Sequence, residues 1–189
     1  TTPFIVKKNS IIEINFDFKN YQNSICEVEL YVDFESRDFK PVEIFLISPT
    51  KEILELMHDN GPIIVGGDRK LKGYFRDASP RSIAQWTNGN YNNTDFRPQG
   101  ITTVPNYENH YTSGNITNLA GFINKNPIGK WYVIINNASS FDEVNVNDIK
   151  LRLKVKETYL MNANYKLVHQ IPYNTKTAQT AIYNSNFNA

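Results

Sequence analysis

The sequence predicts an all-β protein folded as an antiparallel sandwich, and three observations carry that expectation. Short segments in which apolar and polar residues alternate recur along most of the 189 residues, separated by Gly, Asn and Pro. The apolar content leans on aromatics, with eleven Tyr and eleven Phe, residues that suit a pleated, half-buried surface. No stretch shows the 3.6-residue apolar period of an amphipathic helix, and no internal repeat is present. The length suits one sizeable core with extensions.

Each strand follows from its own pattern. Residues Ile11 to Phe18 place Ile12, Ile14, Phe16 and Phe18 on one face and Glu13, Asn15 and Asp17 on the other, which is expected to be wet. Cys26 to Phe34 repeats the scheme, with Cys26, Val28, Leu30, Val32 and Phe34 inward. Glu43 to Ile47 is nearly all apolar, as in a central strand covered on both faces, and Ser48-Pro49-Thr50 ends it. Leu54 to Met57 follows after a turn. Lys130 to Asn137 is the next long strand. It turns through Ala138-Ser139-Ser140 into Val144 to Val155, where Ile149, Leu151, Leu153 and Val155 alternate with Asp148, Lys150, Arg152 and Lys154.

Between about residues 58 and 118, breakers such as Gly61-Pro62, Gly66-Gly67-Asp68 and Asn88-Gly89-Asn90 predict loops. Tyr74 to Asp77 and Ile83 to Trp86 read as brief strands inside them. Arg69, Lys70 and Lys72 read as a solvated loop tip. Trp86, Tyr91, Phe96, Tyr107 and Tyr111 lie there among Asn, Gly and Thr, a mixture that suits a protein interface or sugar stacking, or else folding of the loop onto its own sheet. From about residue 157 the chain becomes rich in Tyr, Asn and Thr. We read 1–156 as the sandwich and 157–189 as an extended arm, whose Leu160, Tyr165, Leu167, Ile171, Tyr173, Ile182, Tyr183 and Phe187 are expected to pack on its own sandwich or, above all, on a neighbouring chain.

Charge balances at 20 basic against 19 acidic residues, so the whole molecule exerts no pull on nucleic acid or an anionic membrane. No run approaches the ~18 apolar residues of a spanning helix. The first residues have neither the charged nor the apolar region of a secretory signal. Thr1 suits a small gene product that has lost its initiator Met as well as it suits a processed fragment. Cys26 is the single cysteine and is expected to be a buried small hydrophobe; one cysteine allows no intrachain disulfide.

The order of segments resembles the P domain, the jelly-roll sandwich that follows the catalytic domain of proprotein convertases. The residues carrying the likeness are Val42 to Pro49, Leu54-Glu55-Leu56, Tyr74 to Ala78, Asp95 to Pro98, Asn118 to Phe122, Gly129 to Ile135 and the closing strand through Leu153, together spanning about residues 10 to 156. The resemblance implies jelly-roll topology. It also brings in calcium, but the positions where many P domains carry aspartates hold Lys40-Pro41 and Asn136-Asn137, leaving Asp77 and Asp142 as the metal candidates. The glycine that usually follows the Ser-Pro turn is replaced by Lys51.

Catalysis finds little footing. No Gly-x-Ser-x-Gly turn occurs, and His58, His110 and His169 lack the spacing of metal ligands and read as surface or turn histidines. Glu27 and Glu29 share the polar face of one strand and serve solubility there. Gly66-Gly67-Asp68 lacks the Lys-Ser/Thr of a phosphate loop. The expectation is a non-enzymatic structural or adaptor subunit of a large assembly such as a virus or phage particle. Its partners would be copies of itself or other subunits, with no nucleic acid, no membrane and no cofactor required. The alternative is the P domain of a secreted protease or adhesin, stabilising its enzyme or binding carbohydrate and calcium.

Overall fold

The computed structural model describes residues 2–19, 21, 23–62, 67–87, 89–100, 114–156, 158–162 and 165–172. They form a jelly-roll-like sandwich. One sheet holds β1 (Phe4–Val6), β3 (Ile25–Ser36), β6 (Arg69–Phe75), β9 (Val144–Val155) and β10 (Thr158–Asn162). The other holds β2 (Ser10–Phe18), β4 (Val42–Ile47), β5 (Ile53–Met57), β7 (Asn115–Ile116), β8 (Gly129–Asn137) and β11 (Lys166–Pro172). The six-stranded sheet runs β11-β2-β8-β4-β5-β7. The five-stranded sheet runs β1-β9-β3-β6, with β10 also on β9. Among these strands pairing is antiparallel except for the short β5–β7 contact. The alternation read from the sequence is obeyed inside: Ile12, Ile14 and Phe16 of β2, Trp131, Val133 and Ile135 of the adjacent β8, and Val28, Leu30, Val32 and Phe34 of β3 on the other sheet share one core cluster.

Residues after 156 do not leave the sandwich as an arm at first. β10 pairs with β9 from Thr158↔Val155 to Asn162↔Leu151, and β11 pairs along β2 from Lys166↔Asn15 to Pro172↔Ser10. Leu160 is buried in the core. Tyr165 packs edge-on against Phe4 at 5.3 Å and Phe16 at 6.2 Å, and donates its hydroxyl proton to the Thr2 carbonyl at 2.7 Å. Burial pushes that hydroxyl up to about 12. Leu160 and Tyr165 therefore serve this chain's own core. Leu167 and Ile171 lie on β11, in register with Ile14 and Ile11. Tyr173, Ile182, Tyr183 and Phe187 lie outside the described residues, as do loop Tyr107 and Tyr111.

Several local expectations are corrected. Ile83–Gln85 is a 3₁₀ turn capped by Ser82, which accepts from the Ala84 amide, and a second such turn covers Leu119–Phe122. Arg69, Lys70 and Lys72 belong to β6, not to a loop tip. The edge of β6 is closed by backbone bonds from the segment that follows, including Lys72 N–H to Tyr91 O at 2.7 Å and Phe96 N–H to Tyr74 O at 2.8 Å. Gly73 permits this approach, since a Cβ there would lie 1.8 Å from the Thr94 carbonyl oxygen. Cys26 is exposed, because the strand bulges between Ile25 and Glu27 and its alternation slips there.

The turn without a glycine is built by Lys51 itself, which takes the left-handed conformation at φ 68°. Glu52 anchors it. Burial alone would raise this carboxyl, but hydrogen bonds from Lys125, Ser48 and Thr50 outweigh burial and hold it at about 2.

Candidate functional site

Of the two readings of the loop aromatics, a binding surface or folding onto the protein's own sheet, Trp86, Tyr91 and Phe96 follow the second. Trp86 and Phe96 are buried, and half-buried Tyr91 bridges them with ring centroids at 5.3 and 5.1 Å. Phe39 continues the stack at 5.0 Å from Trp86. Residues 76–87 and 89–100 of the loop region fold onto their own sheet, which buries the rings of Trp86 and Phe96.

The calcium candidates do not converge either. Asp77 accepts from the Leu119 and Ala120 amides at 3.0 and 2.7 Å, capping the second 3₁₀ turn. Asp142 accepts from Arg37 Nε at 2.8 Å. Both carboxylates already have structural work in separate places, and they do not fit a shared calcium ion. Among the described residues no group of three or more His, Cys, Asp or Glu side chains is arranged to hold a metal. Asn137 shows what replaces an aspartate near Asp142: its buried amide donates to the carbonyls of Val6 and Lys7, both at 3.3 Å, and of Asp142 at 2.9 Å. An aspartate has no N–H with which to make those bonds.

The most elaborated surface is the outer face of the five-stranded sheet. Its register sets polar side chains in rungs across the strands: Tyr159–Lys154–Glu27, Met161–Arg152–Glu29 and Lys150–Tyr31–Tyr74, then Asp33–Lys72 and Glu35–Lys70. Lys72 pairs with Asp33 at 2.9 Å and Lys70 with Glu35 at 2.6 Å. Those hydrogen bonds raise both lysines above their ordinary range. Glu29 takes Arg76 at 2.5 Å and also Arg152, and Lys150 pairs with Asp148. Four cations of this face, Arg76, Lys150, Arg152 and Lys154, lie over tyrosine rings. Arg76 and Arg152 stand 4.3 and 4.8 Å from the Tyr74 centroid, Lys150 is 5.1 Å from Tyr31, and Arg152 and Lys154 are 4.7 and 5.3 Å from Tyr159.

Lys70, Lys72, Arg76, Lys150 and Arg152 on this face thus each meet a carboxylate, and the tyrosines lie against cations. At the β10 margin two large side chains stay open, Tyr159 at 49% exposure and Met161 at 51%. Rigid tyrosines, arginine and an adaptable methionine are the residues enriched where proteins meet. Sequence reasoning had Glu27, Glu29, Lys150, Arg152 and Lys154 on polar strand faces. The cross-strand register that mates them was not visible, and Tyr31 and Tyr159 carried no signal of their own.

A second polar constellation lies on the six-stranded sheet. His58 Nδ1 stands 3.1 Å from Glu43 and 3.0 Å from Glu55, while Asn136 donates to the other Glu43 oxygen at 2.7 Å. His58 is therefore an integral part of a carboxylate cluster and not a plain surface histidine. Burial pushes Glu55 up to about 7, with His58 opposing and Glu43 reinforcing the shift. Glu13, expected on a wet face, is fully buried on β2, and burial pushes it up to about 8.

Compared with protein-family models, curated proteins and solved structures, the chain matches none.

Proposed function

We propose that the chain is a non-catalytic structural or adaptor subunit of a large protein assembly, of the kind from which virus and phage particles are built. The observation that carries this reading is the β10 margin of the tyrosine–cation face, where Tyr159 and Met161 are exposed on a sheet whose neighbouring charges are largely paired. A protein partner fits it better than the alternatives. Polyanions need unpaired cations, and here Lys70, Lys72, Arg76, Lys150 and Arg152 each have a carboxylate. Sugars stack on open aromatic faces, and Tyr31, Tyr74 and Tyr159 already carry cations over theirs. Two exposed, pre-positioned apolar groups cost little entropy to bury. The P-domain likeness enters this reading as kinship of fold only.

In extracts of its source the full chain is expected to sediment in complexes far heavier than its own 21.8 kDa. The Tyr159→Asp/Met161→Asp double variant should melt like the wild type, since both side chains are exposed, yet be missing from those heavy complexes. Wild-type chain found only as free monomer, or a double variant that still enters the complexes, contradicts the proposal.

A further inference from the structure

We infer a head-to-tail contact between copies of this chain, in which Phe141 of one copy enters an apolar cavity at the far end of the next. This rests on the assembly reading and adds to it a second surface and a defined partner. Phe141 is the most exposed large apolar side chain among the described residues, at 73%. It stands at the tip of the β8–β9 connection, which is braced from several directions. The Asn137 amide holds the Asp142, Val6 and Lys7 carbonyls. Ser139 Oγ accepts from the amides of Phe141 and Asp142 at 3.2 and 3.1 Å. Asn9 N–H reaches Ser139 O at 2.9 Å, Ala138 N–H reaches Pro41 O at 3.1 Å, and Arg37 clamps Asp142. So many internal bonds fix a loop whose tip offers water a bare phenyl ring. A rigid aromatic already in place is how a binding anchor is made cheap to use.

The receiving feature is a cavity of about 300 Å³ between the start of β3 and the second 3₁₀ turn, with Val28, Ala78, Leu119, Ala120 and Ile123 on its walls. A cavity of about 150 Å³ suffices for benzene, so a phenyl side chain has room. Cys26 and Lys154 also line it. They stand at the start of β3 and the end of β9, whereas Phe141 lies just before β9. Knob and cavity are therefore separated by the length of the twelve-residue β9, roughly 40 Å at 3.3 Å per residue. One chain cannot bring them together, but two chains can. Repetition of such a heterologous contact gives a row or a ring.

Charges at the two ends agree with this. Lys8, Arg37, Asp68, Asp142 and Glu143 line the polar hollow beside Phe141, and Glu27, Asp77 and Lys154 line the cavity along with its apolar walls. Each rim carries both signs, so Lys8 can face Glu27 and Glu143 can face Lys154. A lipid surface is disfavoured, because the acids beside Phe141 would meet anionic headgroups.

Sedimentation velocity of the purified full chain over rising concentration tests the inference. Wild type is expected to form species that keep growing or close at a fixed ring size, while Phe141→Ser weakens association at least about tenfold with an unchanged melt. Ala120→Trp, which fills the cavity, should do the same; Ile123→Asp serves if the tryptophan disturbs the turn. Phe141→Ser retains the cavity and Ala120→Trp retains the knob, so their mixture should give a 1:1 complex and nothing larger. A wild type that stays monomeric, a Phe141→Ser variant that associates normally, or a mixture that forms no 1:1 complex overturns the inference. Tyr159→Asp/Met161→Asp should leave this association intact, so failure of the sheet-face reading and failure of the end-to-end contact give different results.

Discussion

A chain ending at Lys156 is expected to melt well below one ending at Pro172, which keeps β10 and β11. The shorter truncation removes β10 and β11. With them go the six register pairs along β2, the five along β9, the buried Leu160 and the Tyr165 contacts to Phe4, Phe16 and Thr2. At about 1 kcal/mol per net hydrogen bond and about 2 kcal/mol for a buried leucine, the loss is about 5 kcal/mol or more. That is comparable with the whole stability of many domains, and it corresponds to a fall in melting temperature of roughly 15 °C. Thermal melts followed by circular dichroism check both truncations. If the chain ending at Lys156 melted unchanged, the two strands would not belong to the domain.

Stability is expected to fall as pH rises from about 5 to 8, and Glu13→Gln is expected to remove most of that slope. The Glu13 carboxyl goes from its ordinary 4.5 in the unfolded chain to about 8 in the folded one, through burial on β2. Between those values the folded chain holds a proton that the unfolded chain has released, so each unit of rising pH weakens the fold by about 1.4 kcal/mol. Below pH 4.5 the carboxyl is neutral in both states and costs nothing. Glu55, raised to about 7, adds to the slope over a narrower window. Glu52, held at about 2, acts with the opposite sign and only below pH 4.5, so it does not mask the effect. Denaturant midpoints measured from pH 5 to 8 decide the matter: a flat wild-type profile, or a Gln variant with the same slope, would refute the assignment.

How far the sequence was legible depends on what each strand touches. β2, β3, β4, β8 and β9 lie in sheet interiors, where one or both faces are buried, and their alternation or apolar runs gave bounds within a residue or two. β10 and β11 are edge strands in a stretch rich in Tyr, Asn and Thr. Their membership rests on backbone pairing that leaves little mark in composition, so they read as an arm. Trp86 and Phe96 stayed undecided for a related reason, because an aromatic in a Gly- and Asn-rich loop looks the same whether the loop stands free or folds back on a sheet. Glu13 alternated correctly but met a buried outer face. The tyrosine–cation face was half visible: its acids and bases were placed on polar strand faces, while the register that sets Tyr31 beside Tyr74 and Lys150 comes from the folded sheet. The Glu43–Glu55–His58 cluster joins two strands and a following turn, and no spacing rule links those positions.

Hydroxyl-radical footprinting of the assembled particle against the isolated monomer tests the central claim most directly, because methionine and tyrosine are the residues at stake. The account predicts that Met161 and Tyr159, open in the monomer, become protected on assembly while buried Trp86 and Trp131 stay unreactive in both states. Equal labelling of Met161 and Tyr159 in monomer and particle would contradict it.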